Sequence, residues 1–502
     1  MRRFGFGSSS TSIESLLAKP TVKLQDLLEN DDQLLQELHL QHQKLISFLR
    51  QPSVLSQLVN YIVSEKTHTT STKSCAYVAC EILSAGVPAL LDGLVYAHPE
   101  LLTMLWALLD QSHKLSPRQM VGFCRVNAAL MEKRPGDLIR FIQAHDDIVL
   151  KWIHHIFSYN GNGCPYLSDL LVALTQSQQP SGEGTSIVQW LADHGLLTLL
   201  VDRLQPQVPG LQREIAQRLL CDIIYTARSN NALITELTSP MTASRLCNYM
   251  LPVEHNDGPS PVECGIRIIR ALRVSDKRIS TQYILAKFAE QLPSFVQQLS
   301  LSGSKESKVG LHRLAVCELL LELERCSYDE GQSGSLYRQS MMQCNAIARC
   351  LDLFFAFPEN NILHTIVYCI LQEGILWNER PFTIHLLQNG NLMDRILQAW
   401  EENDQAISQG QSRRGYMGHL ALLTKDIRQA FRRDDGLLKY LSMPSGWDSH
   451  MTKVDQRVEN QITLNGDPVF WAAGYYHEND QEIMNDTGTI YDNNSSSKNV
   501  DT

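Results

Sequence analysis

Strand-like alternation of apolar and polar residues is scarce in this chain, and no Asn-Gly or Asp-Gly turn joins a pair of such segments. That argues against a β-rich fold. C-x-x-C spacing is absent from its 12 cysteines, so neither a zinc ribbon nor a thioredoxin-like site is signalled. Most of the cysteines lie inside apolar runs such as "YVACEIL" and "RLLCDII", where a thiol acts as a small core residue, buried and reduced. A concentrated excess of positive charge is lacking too. The formal net charge is −10, which argues against nucleic-acid binding as the main activity, because phosphate contacts need a basic face.

Long hydrophobic runs are also missing. The best candidate for a membrane span, Ile82 to Ala97, contains Pro88 and Asp92, so no membrane insertion is expected. "MRRFGFGSSSTS" has charge without an apolar stretch after it, unlike a secretory signal. Arg2 stands where myristoylation needs glycine. A cytosolic or nuclear protein is expected.

What the chain does have is helical periodicity. Leu197, Leu200, Val201 and Leu204 fall at i, i+3, i+4 and i+7, as do Val316, Leu319, Leu320 and Leu323, and Met393, Ile396, Leu397 and Trp400. Further helices are predicted at Leu34 to Leu49, Pro99 to Asp110, Asp137 to Gln143, Leu211 to Arg228, Val262 to Val274 and Leu420 to Phe431. Helices separated by polar breaks such as "SQQPSGEGTS" cannot each bury a core, so they stack. No strict period of 33 or 34 residues is visible, as ankyrin or TPR arrays would require. The pattern predicts an all-α, irregular armadillo- or HEAT-like helical solenoid. It weakens from about Gly436, and the aromatic group Phe470, Trp471, Tyr475 and Tyr476 precedes a polar end that should be disordered. The expected organisation is an arm over 1–11, a helical-repeat domain over 12–450, an aromatic segment over 451–478 and a tail over 479–502.

Signs of chemistry are few. "HLQH" sets His39 and His42 three residues apart without the H-E-x-x-H arrangement that supplies a general base, and reads as a solvated helix face. His154 and His155 are adjacent and point apart on a helix. Asp31 and Asp32 precede an apolar helix, where capping and dipole complementation explain them. No nucleophile elbow, Walker loop or dinucleotide fingerprint occurs, nor any metallophosphatase signature. No catalytic residue, cofactor or metal ligand is proposed.

Several collinear segments then point to a family. Ser12 to Leu49 carries a leucine pair, an acidic pair, "LQE" and "HQKLISFL". "ACEILSAGVPALLDGL", "LLTMLWALLD", "VQWLADHGLLTLLVDRLQP", "LLCDII", "GLHRLAVCELLLEL", "LDLFFAFPENNILHTIVYCIL", "DRILQAWEEND" and "RRGYMGHL" follow in order. In these blocks the chain resembles the SAPS-domain family over roughly residues 12 to 450. His42 stands where that family usually has asparagine, Met1-Arg2-Arg3-Phe4 departs from its usual opening, and Gln207 to Lys308 matches least. The resemblance implies a non-catalytic regulatory subunit of a type 2A-like serine/threonine phosphatase of the protein phosphatase 6 class. It would bind the catalytic subunit and direct it to substrates, and it could also join an ankyrin-repeat subunit. The alternative is an armadillo-like adaptor for other protein cargo.

One block raises a site question. Arg413 and Arg414 precede the helix at Leu420, and cations at a helix N-terminus oppose its dipole. Glu401, Glu402 and Asp404 stand at the end of the preceding helix, where acid is equally unfavourable. If the two helices form an antiparallel pair, each charge set can neutralise the other, with Gly415 and Gly418 allowing close approach. This latch is the preferred expectation. The other is a contact surface for the phosphatase made by Arg413, Arg414 and His419. Phe354, Phe355 and Phe357 are expected to be core aromatics before Pro358.

Overall fold

The computed structural model describes residues 13–64, 75–111, 115–158, 165–177, 186–228, 231–251, 258–275, 279–301, 308–376 and 379–456, with backbone alone for 389 and 457–465. The aromatic group at 470–476 lies outside them. Among the described residues there is helix and turn but no strand, as the periodicity predicts. Contacts divide the chain into two units, one through Lys287 and one from Phe288.

In the first unit many helices pack on the one three places further along. The clearest row is α1 (Cys75–Ser84), α2 (Pro117–Lys133), α3 (Pro165–Gln176), α4 (Gly210–Thr226) and α5 (Pro261–Val274), each against the next. A second row runs through Pro135–Gln143, Ile187–Asp193 and Ala232–Leu237, and a third through Ile148–Ser158, Leu196–Val201 and Pro240–Met250. A repeat of three helices is the armadillo pattern.

Local chemistry sets where these helices start. Ser116, Ser239 and Ser260 each precede a proline and accept a hydrogen bond from the backbone N–H three residues on. Serine satisfies an orphan donor, and proline has no N–H to leave unpaired. Gln119 and Glu263 complete capping boxes at two of these starts. All the described cysteines but Cys344 are buried.

The predicted helix from Leu34 to Leu49 is in fact two, Asp31–His39 and Gln43–Leu49. Gln41 takes a left-handed conformation (φ 56°). Its N–H donates to the Leu38 carbonyl at 3.0 Å and that of His42 to the Glu37 carbonyl at 3.1 Å, which together end the first helix. His42 starts the second, its Nδ1 accepting from the Leu45 N–H at 3.3 Å. The asparagine that the family resemblance expects at this position is a common residue for that capping role. His39 and His42 therefore sit on separate helices. Asp31 and Asp32 fall in a first turn, as expected. His155 is buried and bonded to the Leu109 carbonyl at 3.2 Å, whereas His154 is exposed.

The second unit continues the three-helix spacing. α6 (Leu311–Ser327) packs on α8 (Asn361–Leu376), and α8 packs on α10 (Met417–Arg433). Between them lie α7 (Ala346–Ala356) and α9 (Leu392–Ser408). The last helix, α11 (Trp447–Asn465), rests on α9 and α10 through buried Trp447, His450 and Val454. Folded helix thus runs beyond position 450.

Candidate functional site

The "RRGYMGHL" block joins α9 to α10. Trp400 and Asn403 lie on the buried stripe of α9, with Asn403 2% exposed, while Glu401, Glu402 and Asp404 point to solvent. Gly410 ends α9 with φ +76°. Its N–H donates to the Ile407 carbonyl and that of Gln411 to the Ala406 carbonyl, each at 2.9 Å. Glycine suits that left-handed position because it has no Cβ to clash.

The loop is then held by its backbone. The Arg414 N–H donates to Asn403 Oδ1 at 3.1 Å, and the Gly415 N–H donates to the Pro358 carbonyl at 3.1 Å. A Cβ on Gly415 would lie 2.7 Å from that carbonyl oxygen and 3.3 Å from Asn361 Oδ1, so only glycine fits. Gly418 faces open space and allows no close approach.

Among the described residues, no ion pair joins Arg413 or Arg414 to Glu401, Glu402 or Asp404. Both arginines are exposed. Charges on a solvated hairpin gain little from pairing against water and side-chain entropy, and the buried Asn403 amide closes the turn instead. α10 begins at Met417, so the arginines also stand outside its first turn and oppose its dipole less than the sequence implied.

Beneath the loop lies an aromatic and histidine cluster. Tyr416 packs on Phe354, Phe355 and His364, with ring centroids 5.6, 5.5 and 5.6 Å away. Phe354 and Phe357 are buried, as expected of core aromatics. Phe355 is half-buried and carries the Arg395 guanidinium 4.6 Å above its ring. His364 Nε2 bonds to the Phe354 carbonyl at 3.2 Å, tying the start of α8 to the end of α7. His419 faces inward rather than outward, its Nε2 3.2 Å from Thr365 Oγ1 and its ring against Tyr368. Burial lowers its pKa to about 4, helped by His364, so it is neutral and gives the loop no cation. Next to it the Tyr368 hydroxyl donates to Asp426 Oδ2 at 3.1 Å, and burial pushes that carboxyl up to about 6.

Asn403, Pro358, His364 and Tyr416 were not singled out from sequence. Asn403 had a signal, since it continues the i, i+3, i+4, i+7 stripe of Met393, Ile396 and Trp400. A polar residue on an apolar stripe has a buried partner to find.

The site thus presents two exposed arginines on a glycine-clamped loop, set on a packed aromatic base. An all-α helical-repeat protein of the armadillo-like kind is the class this fold defines. The description "SAPS: SIT4 phosphatase-associated protein" matches residues 127–276 and 270–454, and the chain belongs to that family. It is 27% identical over 478 residues to "Serine/threonine-protein phosphatase 6 regulatory subunit 1" of Mus musculus, covering 84% of this chain and 55% of that protein. It is 26% identical over 476 residues to regulatory subunit 3-B of Xenopus laevis, covering 84% and 54%. With "Extragenic suppressor of kinetochore protein 1" of Schizosaccharomyces pombe it shares 29% identity over 377 residues, covering 64% and 44%. The chain spans about half the length of these relatives.

Proposed function

We propose that this chain is a non-catalytic regulatory subunit that binds a type 2A-like catalytic subunit of the protein phosphatase 6 class and directs it to substrates. The observation that carries the reading is the SAPS family match over most of the helical repeats, with relatives named as regulatory subunits of that phosphatase. The architecture suits the role, because a stack of repeats offers a long surface on which a partner's position is fixed. The polar groups beneath the loop are engaged in structural bonds, His419 with Thr365 and Tyr368 with Asp426. Arg413 and Arg414 are the contact residues we put forward, free to pair with carboxylates of the catalytic subunit. Glu401, Glu402 and Asp404 flank them on the same hairpin and would select against acidic surfaces placed a turn away. An ankyrin-repeat subunit is a further partner, and the mostly buried thiols among the described residues suit a reducing cytosolic or nuclear compartment.

Affinity purification of the tagged chain from cells tests this. Recovery of a type 2A-like catalytic subunit, with okadaic-acid-sensitive phosphatase activity in the eluate, is expected. Its absence from a folded, soluble bait would instead favour an adaptor for other cargo.

A further inference from the structure

The last turns of α6 carry a buried polar cluster that the proposed contact does not use. Glu324 is 0% exposed, and neither of its carboxylate oxygens has a hydrogen-bond partner. A carboxylate anion without donors is untenable at such a position, so the side chain is held as the neutral acid. Charged and titratable groups surround it on every packed element. Its own helix supplies Glu322, Arg325 and Tyr328, and α8 supplies Glu373. The helix Gly331–Gln343 supplies Tyr337 and Arg338, and Glu379 precedes the helix Arg380–Asn389. Several of these groups are committed elsewhere. Arg325 Nε and the Tyr328 hydroxyl each donate to Glu373 at 3.2 Å, and the Tyr337 hydroxyl donates to the Leu320 carbonyl at 2.9 Å. Arg338 donates to Glu379 at 2.6 and 3.0 Å and to Ser327 Oγ at 2.6 Å. The Ser327 hydroxyl in turn donates to the Glu324 carbonyl at 2.6 Å. A Cβ on Gly334 would collide with the Ser327 carbonyl oxygen, so the helix that carries Arg338 rests directly on the last turn of α6.

We propose that Glu324 and Glu379 compete for Arg338 and together form a proton-operated switch. While Glu324 is neutral, Arg338 holds Glu379 and with it the start of the helix Arg380–Asn389. When Glu324 loses its proton, the buried anion draws the guanidinium inward. Its desolvation is costlier than that of Glu379, whose side chain is 44% exposed and returns to water. Among the described residues, the helix start then keeps one ionic tie, the exposed pair of Arg380 with Asp434 at 2.8 and 2.9 Å. Burial raises the pKa of Glu324 to about 8, with Arg338 pulling it down and Glu373 and Glu379 adding to the rise. About one molecule in ten is therefore ionised at pH 7 and about nine in ten at pH 9. The helix is held at low pH and released as pH rises. It packs on α9, which leads into the arginine loop, so the switch bears on the support of the proposed contact without depending on it.

Hydrogen–deuterium exchange of the full chain at pH 6.5 and 9, corrected for the intrinsic pH dependence of amide exchange, tests this. Protection of the 380–388 amides should fall at least fivefold in wild type, and by more than that of Asn361–Leu376. Glu324→Gln keeps a neutral side chain at both pH values and should show no such difference. Glu379→Gln changes a half-exposed side chain and leaves the core intact. Its 380–388 amides should be poorly protected at both pH values. Its urea midpoint should also lose most of the wild-type decline over this range, because Arg338 then serves Glu324 alone. A buried acid that only weakens the fold when ionised would lower protection in both helices alike and leave the Glu379→Gln profile parallel to wild type. Either of those results overturns the proposal. So does equal protection of 380–388 at the two pH values in wild type, or a Glu324→Gln variant that follows wild type.

Discussion

Gly415 is where the sequence, the loop and the proposed contact meet, and replacing it by alanine is the sharpest perturbation available. The added methyl would stand 2.7 Å from the Pro358 carbonyl oxygen and 3.3 Å from Asn361 Oδ1. The nearer atom belongs to backbone, so the loop itself must shift. Two effects add. The hydrogen bond from Gly415 to Pro358 stretches or breaks, worth about 0.5–1.5 kcal/mol net, and overpacking against a fixed neighbour costs about 1–3 kcal/mol. A total near 1.5–4.5 kcal/mol lowers the melting temperature of a unit of this size by roughly 3–18 °C. Gly418→Ala is the internal control, because nothing lies within 4 Å of its Cβ position. It sits in the first turn of α10, where alanine gains up to about 1 kcal/mol of helix propensity. Differential scanning calorimetry of the two variants should therefore show shifts of opposite sign. A Gly415→Ala variant as stable as wild type, or both variants shifting the same way, would refute the clamp.

Other outcomes follow from the buried groups. Glu324 is fully buried with neither carboxylate oxygen hydrogen-bonded, and burial raises its pKa from 4.5 to about 8. The folded state keeps a proton that the unfolded chain releases, so stability falls as pH rises from about 4.5 to 8, at up to about 1.4 kcal/mol per pH unit. Urea titrations should show Glu324→Gln with a flatter profile across that window, and an unchanged slope counts against the assignment. His419 has the opposite sign. Its pKa is lowered from 6.5 to about 4, so its contribution is whole above pH 6.5 and is lost as pH falls towards 4, a decline that His419→Gln should reduce. Arg338 is buried, bonded to Glu379 at 2.6 and 3.0 Å and to Ser327 Oγ at 2.6 Å. Arg338→Met should destabilise by about 1–3 kcal/mol in thermal melts, because it removes charge-assisted hydrogen bonds to half-exposed Glu379 and to Ser327 Oγ.

The stacked helices were legible in the chain because apolar spacing is a local signal, read within a few residues. The break at Gln41 was not. The left-handed turn there falls on a glutamine with no glycine or proline to mark it, and tertiary packing of Leu45, Ile46 and Leu49 decides it. At the site, the sequence placed Arg413 and Arg414 beside "WEEND" and suggested Gly415 as a point of close approach. It assigned the closure to opposite charges, whereas an Asn403 amide and a distant Pro358 carbonyl provide it. Partners 11 residues apart are within reach of pattern reading, whereas the bond from Gly415 to Pro358 exists only once α8 and α10 are packed.

The proposed contact between this scaffold and a type 2A-like catalytic subunit runs through the arginine loop. Biolayer interferometry with the purified catalytic subunit of the protein phosphatase 6 class measures it directly. Saturable binding is predicted for wild type, with Kd raised at least tenfold in Arg413→Glu/Arg414→Glu while the melting temperature stays unchanged. Equal affinity in the double variant would remove the loop from the contact, and no binding by the folded wild-type chain would contradict the account itself.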